Sequence, residues 1–442
     1  MRRLQAGVAV LGIAALAGYV SVVLRLTRHP VFLRWGFPQA DFLPFFLAHF
    51  AFLFLLTLLA ARWIFRIEYD DRLSLGLVIG FAVVFRLLLL QTPPVLSSDI
   101  FRYVWDGRVQ ASGFNPYLTT PADVATEEVK QGPLYQQQNR PAVPTIYPPL
   151  AQLAFRAVHS VAGESVFAMK ALMVAADLCT LALLLQFLSR LGLPRSRVIL
   201  YAWHPLAVFE CAGSGHVDAL VLPLILVAVL AWHRGYDTAA GVALGAAVLI
   251  KVYPILLLPV FFAKRRWRLP LVCMLMICFC YLPYLHEAGL RVLGYLPRFL
   301  VDPGEVFNPS IMGLAILLGR SFGKVSVTWV SWMGKGLLLA TLLSLLRSEP
   351  ESPEDLLARV WLVGTAMVLL ALTLHPWYLL WLLPFLVIQP RPAWTYLSAA
   401  IAASYLFYLV PTTWWPVIGA VEYAPFLGLL ASRRGARAFV PA

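Results

Sequence analysis

Charge is what this 442-residue chain has least of: only 13% of it is Asp, Glu, Lys or Arg. So few ionised side chains cannot clothe the surface of a soluble protein of this length. Polar stretches are equally scarce, and none is long enough to form a soluble domain of its own. That excludes a basic nucleic-acid-binding module, although the formal net charge is +13. Cysteine is sparse too. Cys179, Cys211, Cys273, Cys278 and Cys280 show no metal-ligand pairing, and in apolar spans they read as small buried hydrophobes. No internal repeat is found. No cleavage site follows MRRLQAG, so the start of the chain reads as a retained first span rather than a signal peptide.

What the chain has in abundance is apolar material, 60% of its residues, with a mean hydropathy of +0.77. Runs near twenty residues recur, the length that crosses a hydrocarbon core. The expectation is an all-α polytopic membrane protein, a single integral membrane domain over 1–442 with roughly 11–13 transmembrane helices. Candidate spans cover 5–26, 42–64, 73–91, 166–190, 197–212, 217–234, 238–263, 268–286, 325–347, 356–374, 376–390, 393–411 and 415–432. The 32 prolines and 14 tryptophans fit helix breaks beside a cavity and aromatic belts at the interfaces. In a membrane protein the basic excess marks short cytoplasmic loops. Arg2 and Arg3, then Arg62, Arg66 and Arg72, then Arg190, Arg195 and Arg197 alternate as that rule requires.

A plain helix over 238–263 would put Lys264, Arg265, Arg266 and Arg268 outside, against the rule. Lys251-Val252-Tyr253-Pro254 interrupts it, and proline breaks the helix ahead of it. The segment is therefore expected to be a broken hairpin with Lys251 at an outward bend. Pieces of thirteen residues reach only ~20 Å against a ~30 Å core, so that bend must line a polar cavity. The same register makes 92–165 the first large outer loop and 287–324 the second, and it keeps Arg347 to Arg359, Arg391, Arg433, Arg434 and Arg437 inside. Asp99, the stretch from Glu210 to Asp218, Lys251 and His375 then converge on one outer face.

The first outer loop carries SSDIFRYVWDGRVQASGFNPYLTTP, expected to form a short helix over about 100–112 lying along the membrane. Phe101, Val104, Trp105 and Val109 make its apolar side, and Gly113 ends it. Asp99 suits a general base if an acceptor hydroxyl comes within hydrogen-bond reach, and it equally suits a helix cap along with Ser97 and Ser98. Asp106 can share a face with Asp99 and Tyr103, or pair with Arg102 four residues before it. Arg102 and Arg108 match the geometry of phosphate, or snorkel beside lipid headgroups. Glu210, His216 and Asp218 sit in FECAGSGHVDAL, where carboxylate and imidazole groups suit sugar hydroxyls. Their spacing matches no strong metal pattern, and no metal or other cofactor is expected. Lys251 requires either a bound anion or a carboxylate such as Glu210 or Asp218. His375 lies in HPWYLLW, whose Trp377 and Tyr378 also read as interfacial belt residues.

SDIFRYVWDGRVQASGFNPY followed by TIYPPLAQLAF resembles the first outer loop of the polyprenol-phosphate-dependent mannosyltransferases of the C-type glycosyltransferase superfamily. The resemblance is to glycosyltransferase family 87 and the bacterial alpha-1,6-mannosyltransferases, and more distantly to the first GPI mannosyltransferase. HPLAVFECAGSGHVDALVL, LIKVYPILLLP and HPWYLLWLLP are similar to segments of the same group. The likeness spans about 97–385; the first three spans and the tail add little. It implies the C-type fold, a catalytic base at Asp99, and Lys251 near the donor phosphate. Many relatives carry a paired acidic motif, whereas here Ser98 or Ile100 fills the partner position, so Asp99 acts alone or with Asp106.

The resemblance and the residues together lead to an inverting transfer of a hexose, in the first place mannose. The donor is a polyprenyl-phosphate sugar and the acceptor a glycan or glycolipid at the bilayer. Donor phosphate contacts fall to Lys251, Arg102 and Arg108; sugar or acceptor contacts fall to Asp106, Tyr103, Glu210, His216, Asp218, His375 and Trp377. A bacterial inner membrane with an outward-facing site is the expected location. Two alternatives share the architecture: a transporter or flippase of a lipid-linked sugar, and a lipid-linked polysaccharide ligase or polymerase.

Overall fold

The computed structural model describes residues 2–28, 42–66, 69, 71–123, 135, 137, 138, 140–262, 266–301, 308, 310–323 and 326–432. Lys264, Arg265, Arg433, Arg434 and Arg437 lie outside the described residues, as do 124–134 and 302–307 of the two expected outer loops. Every regular element among the described residues is helical. In chain order these are α1 (Arg2–Arg28), α2 (Phe42–Ile64), α3 (Arg72–Leu90), α4 (Asp99–Ala111), α5 (Pro149–Ala162), α6 (Val166–Arg190), α7 (Asp218–His233) and α8 (Asp237–Ile250). They continue with α9 (Arg268–Ala288), α10 (Ile311–Phe322), α11 (Val327–Leu345), α12 (Pro353–Leu370), α13 (Pro392–Ala400) and α14 (Trp415–Ala431). The chain is thus an all-α polytopic membrane protein.

Helix starts follow local chemistry. Asp71 accepts from the Ser74 amide at 2.8 Å, Ser165 from Ala168 at 3.1 Å and Ser352 from Asp355 at 3.1 Å. The bond from Ser74 is the main reason the Asp71 carboxyl is held below the usual carboxylate range. Asp71 also accepts from Gln5 at 3.1 Å, tying α1 to the start of α3.

Among the described residues, six helical segments are long and apolar enough to cross a membrane: Arg2–Thr27, Phe42–Ile64, Arg72–Leu90, Val166–Arg190, Arg268–Leu300 and Val327–Leu345. The expectation of near-uniform spans fails elsewhere for identifiable reasons. Residues 197–212 are not one helix but two four-residue pieces and a turn of π-helix over Phe209–Ser214, interrupted at Pro205. Residues 376–390 and 393–411 are likewise part 3₁₀ and part α-helix. These irregular stretches are buried in protein, where freed backbone groups find partners. The shorter α7 and α8 are apolar except near their ends and are largely enclosed.

At Lys251 the chain turns back. α8 ends at Ile250, Lys251 is extended (φ −151°, ψ 133°), and 3₁₀ turns over Tyr253–Leu257 follow. Arg266 then meets Asp237, the first residue of α8, with Nε 3.0 Å from Oδ1. The two ends of 237–266 therefore meet, and Lys251 lies a helix length away, beside the first turn of α7. α8 approaches α9 closely because Gly241 and Gly245 carry no side chain; a Cβ at either would press on the α9 backbone at Leu269 or Cys273.

α3 and α6 are joined by a fully enclosed ion pair, Arg86 Nε to Asp177 Oδ2. Arg86 Nη1 also donates to the carbonyls of Ala82 (3.0 Å) and Ala202 (2.7 Å), and Tyr201 donates to Asp177 at 2.5 Å. Neither charge stands out in the hydropathy pattern. Arg86→Leu should lower stability by about 3–5 kcal/mol, because Asp177 is left as a buried unpaired charge. Arg86→Leu with Asp177→Leu should be more stable than Arg86→Leu alone. Detergent-solubilised thermal denaturation checks this; a double variant less stable than the single would refute the pairing argument.

Candidate active site

α4 is short, starts at Asp99 and is packed on α5 and α6. It does not lie along an interface as the sequence suggests: Arg102, Tyr103, Trp105 and Asp106 are all buried. Its charged face is turned into protein because that face has its own polar partners. Nor does Asp99 cap the helix. It is the first helical residue, Ser98 makes no side-chain cap bond, and the Asp99 amide donates to Ser97 Oγ at 3.3 Å. The Asp99 carboxylate is half-buried and within electrostatic range of Tyr103, Tyr147, Glu210, Tyr378, Tyr405 and Tyr408. Side chains from four separate parts of the chain thus surround it.

Asp106 is a saturated hub. It accepts from Arg102 Nε at 2.8 Å, from Thr145 Oγ1 at 2.6 Å and from Gln152 Nε2 at 2.9 Å. Gln110 joins the network through Gln152 at 2.9 Å, and Arg102 also donates to the Val143 carbonyl at 3.1 Å. These bonds lock α4, the 141–148 segment and α5 into one unit, so the i,i+4 pairing with Arg102 is the arrangement adopted. Arg102 keeps one buried nitrogen, Nη2, without a protein partner. Arg108 pairs with Glu164 at 2.8 Å, about 13 Å along the helix from Asp99, and does not join the cluster. Tyr103 lies flat on Phe155 (4.8 Å between centroids) and accepts from the Val217 amide at 3.4 Å. Burial pushes the Tyr103 and Tyr147 hydroxyls well up, keeping both protonated.

The π turn over Phe209–Ser214 brings the second set of polar groups against α4. Gly215 closes the turn in the left-handed region (φ 71°), and a Cβ there would collide with Ile100, next to Asp99, and with the Lys170 stem. Lys170 escaped the sequence reading, where it is a single lysine in an apolar span. Its ammonium is buried and donates to the Leu89 (2.8 Å) and Thr92 (2.6 Å) carbonyls, capping α3 and fixing the link to Asp99. Glu210 accepts from Tyr405 at 2.5 Å, and its Oε2 is 3.7 Å from His216 Nε2.

Lys251 Nζ is 2.6 Å from Asp218 Oδ2, while Trp381 Nε1 donates to Asp218 Oδ1 at 2.9 Å. The ammonium also lies over the rings of Tyr378 (5.2 Å), Tyr253 (5.9 Å) and Trp381 (6.0 Å). Its side chain remains 22% exposed, unlike that of Asp218. Trp377 is not an interfacial belt residue. It is buried between the rings of His216 (3.9 Å) and His375 (4.4 Å), stacked nearly parallel on both. Tyr378 packs edge-on against His375.

Of the residues named from sequence, the structure gathers Asp99, Tyr103, Glu210, His216, Asp218, Lys251, His375 and Trp377, and places Asp106 and Arg102 in the supporting network. Tyr147, Tyr253 and Trp381 lay inside the quoted motifs but were not singled out, and Tyr378, read as an interfacial belt residue, instead packs against Lys251 and His375. Tyr405 belongs to a segment with no charged residue to mark it. Cys179 and Cys278 are exposed on the outer sides of α6 and α9, not buried as expected of apolar spans. Among the described residues, no three His, Cys, Asp or Glu side chains converge as metal ligands.

An all-helical membrane bundle with an enclosed site of carboxylates, imidazoles, one lysine and stacked aromatics is thus defined. The family model for alpha-(1->6)-mannopyranosyltransferase, N-terminal domain (MptA_B family) matches residues 4–265, and the chain belongs to that family. The match includes Asp99, the Asp106 hub, the π turn and Lys251, and ends before His375 and Trp377. Among curated proteins, none matches the chain. The protein is therefore a membrane glycosyltransferase of a mannosyltransferase family.

The geometry separates two kinds of loss. Asp106→Ala should lower both stability, by about 3–5 kcal/mol, and activity, since Arg102 loses its buried partner. A parallel melt and transfer assay checks this; unchanged melting would show that the hub does not hold α4.

Proposed function

We propose that the protein moves a mannosyl residue from a polyprenyl-phosphate donor to a glycan or glycolipid acceptor, with inversion at the anomeric carbon and Asp99 as general base. One observation carries the donor class. Tyr253 and Trp381, the rings beneath Lys251, also line a narrow apolar cavity among α7, α12 and the 382–385 segment. A cation directly above an apolar cavity suits a ligand with an anionic head and a hydrocarbon tail. Leu222, Ile225, Leu257 and Phe385 would pack against isoprene units, and Lys251 would face the phosphate.

In this reading Asp99 takes the acceptor hydroxyl proton as that oxygen attacks the anomeric carbon. The bond from that carbon to the phosphate oxygen breaks, and the electron pair leaves with the polyprenyl phosphate. Lys251 and the unpartnered Nη2 of Arg102 stabilise the charge that develops there. A phosphate monoester leaves readily, so no general acid is required. The Asp99 end of the bundle faces outward, because Arg62, Arg66, Arg234 and Arg266 lie at the opposite end, where the positive-inside rule puts them. In this reading the membrane is a bacterial inner membrane and the site faces the periplasm.

Transfer of radiolabelled mannose from polyprenyl-phosphate-mannose by the purified protein tests this. Asp99→Asn should cost about 10²–10⁴-fold in turnover with donor binding retained; normal turnover would remove Asp99 from the mechanism. Movement of the sugar-lipid across a vesicle without transfer would replace the reading by a flippase.

The cavity makes its own prediction. Gly364 lines it, so Gly364→Leu should fill part of it and raise the donor KM roughly tenfold, about 1.4 kcal/mol. An unchanged donor KM would place the lipid elsewhere.

A further inference from the structure

Glu210, Ser214 and His216 hold buried polar atoms that make no hydrogen bond to the rest of the protein, although Ser214 and His216 lie near the Glu210 carboxylate itself. Glu210 Oε2, Ser214 Oγ and both His216 ring nitrogens are buried and without a hydrogen-bond partner. Unsatisfied groups at this density are costly, and more so in a membrane bundle. Glu210 and His216 are at most 1% exposed, and each is fixed from one side only. Tyr405 holds Glu210 Oε1, and Trp377 covers the face of the His216 ring while leaving its nitrogen-bearing edges unpaired.

Their position along the site adds a second argument. The Asp99 charge reaches Glu210, the Lys251 charge reaches His216, and the two side chains approach to 3.7 Å. Glu210 and His216 therefore adjoin both the Asp99 and the Lys251 parts of the site. In a single displacement the hexose being transferred lies between the base and the departing phosphate, and these two side chains are near both.

We propose that Glu210 and His216, assisted by Ser214, form the subsite for the transferred hexose: a carboxylate, an imidazole and a hydroxyl that hydrogen-bond its ring hydroxyls. This assignment rests on the reading of Asp99 and Lys251 given above. Two or three such bonds make the sugar worth about tenfold or more in affinity over the bare lipid phosphate.

The test compares binding of polyprenyl phosphate and polyprenyl-phosphate-mannose to the full-length protein in nanodiscs. The wild type should bind the mannosylated lipid at least about tenfold tighter. His216→Ala and Glu210→Gln should each bring that ratio to within about twofold of one while affinity for the sugarless lipid is kept. Lys251→Ala should weaken both lipids alike and preserve the ratio. A wild-type ratio of one, or a ratio that survives both subsite variants, overturns the proposal. If His216→Ala loses the sugarless lipid as well, the near-isosteric Glu210→Gln decides by the same ratio. The measurement needs no turnover: absence of transfer in the wild type would overturn the proposed reaction while the ratio still reads the subsite.

Discussion

Water is excluded from the interior of this bundle, so each ionised group there must find its partner within the protein. That constraint explains where the charges sit. Arg86 is matched to Asp177 across α3 and α6, Arg102 to Asp106 within α4, and Lys251 after the end of α8 to Asp218 at the start of α7. Lys170 reaches only carbonyls, but those carbonyls end a helix and carry its partial negative charge. Each pair joins two elements or two turns that apolar packing alone would leave free to slide. Glu210 Oε2 and the His216 nitrogens are among the buried polar atoms left without a hydrogen-bond partner, and they are the ones gathered beside these pairs.

The same constraint explains why the site is built from broken helices. A continuous helix presents side chains but hides its backbone, and its ends lie at the interface. Pro205, Gly215, Pro254 and Pro376 instead end helices inside the protein. Glu210, Asp218, Lys251 and His375 all flank such breaks, where the chain turns and side chains converge from several directions. The backbone groups released at these points stay enclosed and so can be paired. The Glu210 carbonyl, for instance, accepts from the His216 amide at 2.9 Å across the π turn.

Much of this was legible in the sequence because its cause is local or compositional. The apolar content dictates a polytopic helical bundle, and α2, α3, α6 and α11 fall close to their expected spans. Lys251 before Tyr253-Pro254 marks a helix end, and the Arg102–Asp106 spacing marks a pair. What was not legible depends on three dimensions. Thr145 and Gln152 are ordinary residues until they meet Asp106, and Tyr405 carries no signal until it meets Glu210. Trp377 in HPWYLLW has the pattern of an interfacial anchor, and only its neighbours His216 and His375 make it part of an enclosed stack. The breaks inside several expected spans were not legible because hydropathy does not distinguish a continuous helix from irregular chain buried in protein. The sequence 197–212 satisfies both descriptions until its partners are known.

The Lys251–Asp218 pair shows how structure and proposed chemistry constrain each other. An ammonium already bound to a carboxylate gives less net charge to an incoming phosphate than an unpaired one. A long, flexible lysine with no partner, however, would have no fixed position, and a lone charge at this depth would be expensive. Asp218 occupies one of its N–H donors at 2.6 Å and is itself held by Trp381 at 2.9 Å, which leaves two donors in a set orientation. The Tyr378 ring below the ammonium supplies attraction without a competing acceptor of full charge. Catalysis depends on interactions that strengthen as charge develops, so a positioned donor is worth more than a stronger ground-state grip. If the proposed reaction holds, Asp218 would act on it through Lys251, as a positioning residue, without touching substrate itself.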